Sequence, residues 1–167
     1  MKIGIAGPVS LPLLRGFEQN RELPLGYDHP PMSALVNALL GRGYDVVVYT
    51  TSTDMETPSV FCAGGLTVCI ARRQAHAARD LFRSERADLV KLMKEYPVDI
   101  MNAHWSYEFA WAALDSGMPT LVTLRDHALT VLKFSRNAYR FMRLLMNTNV
   151  LHRASYLSVN SQYLFER

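Results

Sequence analysis

The chain has 167 residues, 49% hydrophobic and 20% charged, with a formal net charge of +3. That supplies one globular domain with a full core and argues against disorder. The opening "MKIGIAGPVSLPLL" is broken by Gly7 and Pro8, and no apolar window is long enough for a bilayer, so neither a secretory leader nor a membrane span is expected and the protein is read as cytoplasmic.

The first strand is "KIGIAG" (2–7), followed by a long irregular connection over 8–30. "MSALVNALLGRG" has helical spacing and stops on Gly43, a glycine C-terminus. "YDVVVYT" (44–50) is the second strand, with 51–58 irregular after it. "VFCAGGLTVCIA" predicts a hairpin turning on Gly64-Gly65. A two-residue turn sets Cys62 opposite Thr67 and Cys69 opposite Val60. The thiols then lie diagonally, about 7–8 Å apart, too far for a relaxed disulfide; both are expected as reduced core thiols. "SERADLVKLMKEY" is a helix with Ser84 as candidate cap, ending before Pro97. "VDIMNA" (98–103) is a strand, "SYEFAWAALDSG" a short helix closed by Gly117, and "PTLVTL" (119–124) the next strand. "SRNAYRFMRLLMN" is a further helix and "ASYLSV" (154–159) the last strand. Nearly continuous apolar strands alternating with helices predict an α/β fold, a doubly wound, Rossmann-like parallel sheet with right-handed crossovers.

In such a sheet ligands sit beyond the carboxyl ends of the strands. The residues to examine are Gly7-Pro8, His104-Trp105 and Arg125-Asp126-His127. The last triplet sets a cation, an anion and an imidazole side by side after an apolar strand, where solvent or substrate can satisfy them. Known motifs fail here. Gly4-x-x-Gly7-Pro8 lacks the dinucleotide spacing, and Pro8 removes a donor that a pyrophosphate needs. No P-loop, no H-E-x-x-H pair and no G-x-S-x-G elbow occurs.

Taken together, "GRGYDVVVYT" (41–50), "VDIMNAH" (98–104), "PTLVTLRD" (119–126) and "ASYLSVNS" (154–161) resemble, in order, the N-terminal half of retaining glycosyltransferases of family 4, which have the GT-B fold. The resemblance spans nearly the whole chain. It implies transfer of a sugar from a nucleotide-sugar donor to an acceptor hydroxyl, on a glycan or a lipid-linked or cell-surface acceptor, with no metal and no cofactor. The family's Gly-Gly falls on Gly26-Tyr27, so a bulky ring replaces the second glycine. Its His-Asp falls on Arg125-Asp126, with His127 one place later. Arginine does not deprotonate and so cannot act as a neutral imidazole; either Arg125 binds an anionic acceptor or His127 takes over the acceptor hydroxyl.

By the same resemblance Asp126 and His127 are candidate catalytic groups, and Gly7, Gly26, Tyr27, His104, Trp105 and Arg125 candidate acceptor contacts. Each has a plainer reading: a packed core histidine for His104, a helix cap or a pair with Arg125 for Asp126, a surface position for His127. Trp105 is a candidate sugar-stacking ring and Trp111 is expected in the core. His29 is given no role beyond lining the cleft, and His76 and His152 are expected as solvated helix residues. The family's donor site lies mostly in a second, C-terminal domain marked by two glutamates eight positions apart. Residues 1–167 are therefore expected to be a single acceptor-side domain, silent alone, with the nucleotide-sugar domain outside it.

Charge is unevenly placed. From His127 to Phe165 there are five Lys or Arg and no acid, so that segment carries +5 and the remainder −2. Lys133, Arg136, Arg140 and Arg143 recur at spacings of three, four and three, which predicts one basic helical face. It is a candidate surface for an anionic membrane or a partner; the plainer reading is a solvated face. Nucleic acid is not expected, since no aromatic platform accompanies the row. Two other classes fit the same residues: a stand-alone α/β ligand-binding or regulatory domain, and a GT-B nucleotide-sugar epimerase.

Overall fold

The computed structural model describes residues 1–17, 24 and 26–166. Seven strands form one sheet in the order β3-β4-β2-β1-β5-β6-β7. They are β1 (Lys2–Ala6), β2 (Asp45–Ser52), β3 (Ser59–Ala63), β4 (Leu66–Arg72), β5 (Ile100–His104), β6 (Thr120–Leu124) and β7 (Tyr156–Val159). All neighbours pair in parallel except β3 with β4. The helices are α1 (Pro30–Gly41), α2 (Arg83–Glu95), α3 (Glu108–Ser116), α4 (Ala128–Phe134), α5 (Ala138–Arg153) and α6 (Gln162–Phe165).

The inner strands β2 and β4 bury both faces, which is why they read as continuous apolar runs. Val46, Val48, Val68 and Ile70 pack with Met32 and Val36 of α1. Their alternates Val47, Tyr49, Cys69 and Ala71 pack on the opposite face with Leu89 and Met93 of α2, Phe109 and Ala113 of α3 and Val150 of α5. The doubly wound parallel arrangement expected from the sequence is thus present, and the two glycine stops hold. Gly43 and Gly117 both have φ +81, the left-handed geometry that ends a helix cheaply only at glycine.

The hairpin register is also as expected, with Val60 opposite Cys69 and Cys62 opposite Thr67. Cys69 is buried but Cys62 is exposed, because β3 is the edge strand and turns that side chain to solvent; the expectation of two core thiols fails for Cys62. Ser84 lies inside α2, whose cap is Phe82 with no side-chain bond. The helix expected over 135–147 is present as α5 with a later start, and a separate helix, α4, precedes it. α4 stops at Phe134, and α5 restarts at Ala138, where the Asn137 side chain accepts from the Arg140 backbone N–H at 2.9 Å. Lys133 and Arg136 therefore do not share a helical face with Arg140 and Arg143, and Arg143 is buried. The connection over 8–30 holds a short 3-10 turn at Leu11–Leu13 and a bridge between Ser10 and Gly26; its positions 18–23 and 25 lie outside the described residues.

Candidate functional site

The chain steps from β1 to β2 on one side and later to β5 on the other, so the strand order reverses at β1. That switch point is where a doubly wound sheet opens a crevice. Gly7 and His104 close the two strands there. A Cβ at Gly7 would lie 3.2 Å from the His104 Cβ and 3.4 Å from the Met32 methyl, so glycine lets the three elements meet.

His104 is 4% exposed. Burial, then the nearby Arg125 guanidinium, pushes its pKa down to about 3, so the ring is neutral at physiological pH. Arg125 Nε donates to His104 Nδ1 at 3.2 Å. An accepting Nδ1 leaves the ring proton on Nε2, and Nε2 is buried with no partner. Arg125 also points an Nη at the Met32 sulfur, 3.2 Å away. No acid among the described residues pairs with it, and its burial lowers its own pKa.

The Arg125-Asp126-His127 triplet fans out in three directions. Asp126 does not pair with its neighbour; it accepts from the Tyr107 hydroxyl at 2.7 Å. That carboxylate, after burial, holds the Tyr107 phenol above its ordinary pKa of 10.0. His127 caps α4, and its Nδ1 is 2.6 Å from Thr130 Oγ1. So His104 and Arg125 form one unit, with Asp126 and His127 each tied to a separate neighbour.

Gly26 and Tyr27 border an open cleft of about 460 Å³ with Ser10 and Asp28. Gly26 has φ +70, and a Cβ there would be 2.7 Å from the Val9 carbonyl. Ser10 Oγ donates to the Tyr27 carbonyl at 2.8 Å and accepts from the His29 N–H at 2.7 Å. This pins the loop beside the switch point. The Tyr27 ring is anchored away from the loop backbone by its hydroxyl. It lies over the carboxyl end of β2, where its hydroxyl meets Thr51 Oγ1 at 2.9 Å and receives a 2.5 Å bond from Arg73. Burial raises the Tyr27 pKa from 10.0.

Trp105 takes φ +66, a left-handed strain of about 1–2 kcal/mol for a non-glycine residue. It turns the ring edge-on to Tyr27 at 6.3 Å and to His29 at 6.1 Å. Trp111 is half-buried in contact with the main core, under the Arg86 guanidinium at 3.9 Å. His29 lines the crevice with its Nδ1 buried and unpartnered; His152 is exposed on α5 as expected, whereas His76, also exposed, sits in a left-handed turn and not on a helix.

Arg143 sits beneath the edge. It donates to Glu108 at 2.5 Å and lies 3.5 Å from the centroid of Tyr107, a cation over a ring face. It supports the Tyr107–Asp126 pair rather than an outer surface. Lys133 and Arg136 stay exposed and Arg140 half-exposed.

Sequence reasoning missed Arg73. It follows β4, which pairs with β2 in parallel, so its side chain belongs to the same carboxyl edge. Treating "LTVCIA" only as a hairpin arm hid that. Tyr107, Ser10 and Ser33 were missed too, since their partners are 17 to 23 residues away.

A doubly wound parallel sheet with a crevice at its switch point is a Rossmann-like fold. Solved structures agree on the fold. The chain is similar to sucrose-phosphate synthase from Thermosynechococcus elongatus, with TM-score 0.62 and 13% identity, over 94% of this chain and 41% of that one. It is also similar to an E. coli trehalose-6-phosphate protein bound with UDP-2-fluoro glucose, with TM-score 0.51 and 11% identity, over 98% of this chain and 40% of that one. No curated protein sequence matches. The model of Glycosyltransferase Family 4 matches residues 32–167, and the chain belongs to that family. It spans about two-fifths of the length of the structures it matches. Among the described residues no helix is long and apolar enough to cross a membrane.

Proposed function

We propose that these residues form the N-terminal, acceptor-side domain of a cytoplasmic glycosyltransferase that moves a sugar from a nucleotide sugar to an acceptor hydroxyl with retention at the anomeric carbon. The observation that carries the proposal is the unit at the switch point: neutral His104 against Gly7, bonded to an Arg125 that has no counter-ion among the described residues. Such a unit offers donors to a polar acceptor and no nucleophile of its own. Asp126, steadied by Tyr107, and His127 are placed on the same edge to hold or move the proton of the attacking hydroxyl. The donor is held mainly by a second domain outside these residues. Support comes from the two-fifths coverage and from a structural neighbour that carries UDP-2-fluoro glucose. Closure of the two domains then aligns the reactants and expels water, the larger part of the rate gain when no covalent chemistry is required of the protein.

The experiment is transfer by the whole protein from UDP- and GDP-sugars to a panel of sugars and sugar derivatives, followed by proton NMR of the product. Acceptor-dependent nucleotide release with the donor's anomeric configuration kept supports the proposal. Nucleotide-sugar epimerisation without transfer, or tight ligand binding with no turnover, contradicts it.

A further inference from the structure

Among the described residues Arg125 is a half-buried cation without a counter-ion, and that is a costly state. Buried charges in folded proteins are paired or neutralised, and arginine does not neutralise at physiological pH. Its neighbours could have supplied a carboxylate. Asp126, the adjacent residue, is turned away to Tyr107, and Glu108 is taken by Arg143. Burial first, and then the facing Arg125, lowers the pKa of both His29 and His104. Among the described residues no carboxylate is therefore left to compensate Arg125. Of its five N–H donors, Arg125 spends one on His104 and one on a thioether, a weak acceptor. The remaining fork has the geometry that grips an oxyanion with two parallel bonds. Beside it, His104 keeps an unpartnered Nε2–H while 4% exposed.

We infer that Arg125 anchors an oxyanion on the acceptor, so that the acceptor is a sugar phosphate or a sugar acid and not a neutral sugar. The inference rests on the acceptor-side assignment of this edge and adds the chemical class. Arg125 stands where the resembled family carries a histidine. A neutral ring there reads hydroxyls; a guanidinium selects charge. The His104 bond holds the Arg125 stem, which pre-orients the fork at the mouth of the crevice.

The test is calorimetric titration of the 167-residue chain with glucose, glucose 6-phosphate, glucuronate and inorganic phosphate, at low and moderate salt. Glucose 6-phosphate or glucuronate should bind at least tenfold more tightly than glucose, with inorganic phosphate competing. Arg125→Met should abolish the preference. Arg125→Lys keeps the charge without the fork and should retain a preference weakened several-fold, which guards against loss of fold in the methionine variant. Equal affinity for glucose and its charged derivatives, or a preference that survives Arg125→Met, overturns the inference. Arg125-dependent sedimentation with phosphatidate vesicles in place of sugar-anion binding assigns the anion to a lipid and also overturns it. Failure of the transferase proposal is separately visible. Charged-sugar binding with no transfer by the whole protein removes that proposal and leaves the anion site. Transfer to neutral sugars that is indifferent to Arg125→Met does the reverse.

Discussion

Arg125 and His104 close adjacent parallel strands, and the 3.2 Å bond from Arg125 Nε to His104 Nδ1 fixes the tautomer and charge of the histidine at once. An imidazole accepting from a guanidinium at Nδ1 cannot take a proton there without breaking that bond. The neighbouring positive charge opposes protonation as burial does.

A pH dependence follows. His104 has an ordinary pKa of 6.5 and one of about 3 in the fold. A depressed folded pKa contributes stability that is complete above 6.5 and drains as pH falls toward 3. The slope from this residue is at most about 1.4 kcal/mol per pH unit. Urea midpoints should hold from pH 8 to 7 and then fall, and His104→Gln should flatten the acid limb. An unchanged limb in that variant shows that other groups govern acid unfolding.

Loop geometry gives a second expectation. Gly26→Ala meets both a positive φ of +70 and the Val9 carbonyl at 2.7 Å, whereas Gly43→Ala meets φ +81 in open space. The first should lose more than the roughly 1–2 kcal/mol of left-handed strain that the second loses. Equal thermal shifts for the two contradict the close approach.

The Arg143–Glu108 pair is almost fully buried, with side chains 9% and 3% exposed. Removing one partner strands the other, so Arg143→Met or Glu108→Leu alone should cost about 3–5 kcal/mol. The double variant should cost less than the sum. Additive losses in a denaturation cycle mean that the two charges do not compensate each other.

Asp126 is argued to act on the acceptor, not on the donor. In the whole enzyme Asp126→Ala should lower kcat while donor affinity stays nearly intact. Tyr107→Phe, which deletes the 2.7 Å bond to Asp126, should lower kcat by a smaller factor. A drop in donor affinity for either variant, measured by calorimetry with the nucleotide sugar alone, refutes that division of labour.

Thiol titration separates the cysteines. Cys62 is exposed, while Cys69 is 0% exposed with burial pushing its thiol up to about 12. An aromatic disulfide reagent at pH 8 should consume one thiol per native chain and two after denaturation. Two fast thiols in the native protein contradict the edge placement of β3 over a closed β4.

What local pattern encodes was legible in the chain itself. The strand runs, the stops at Gly43 and Gly117 and the register across Gly64-Gly65 are set by neighbours within a few residues. The parallel pairing of β4 with β2 was not, because it depends on residues about twenty positions apart; Arg73 was lost with it. Charge spacing misled for a related reason. Lys133 through Arg143 has helical periodicity, yet Asn137 carries a capping side chain that starts a new helix. Asn137 was a visible signal that the periodicity concealed. The edge residues Gly7, His104 and Arg125 were found because strand ends are predictable. Their bonding was not, since Arg125 and His104 lie 21 positions apart.

The measurement that bears most directly on the account is amide shift mapping of the isotope-labelled chain with glucose 6-phosphate and, separately, UDP-glucose. An acceptor-side domain predicts that the sugar phosphate moves the amides of Gly7, Tyr27, Trp105 and Arg125 together with the His104 ring signals, while UDP-glucose moves few of them. Shifts at that edge from UDP-glucose and none from the sugar phosphate would mean that this domain holds the donor, and the account would be wrong at its centre.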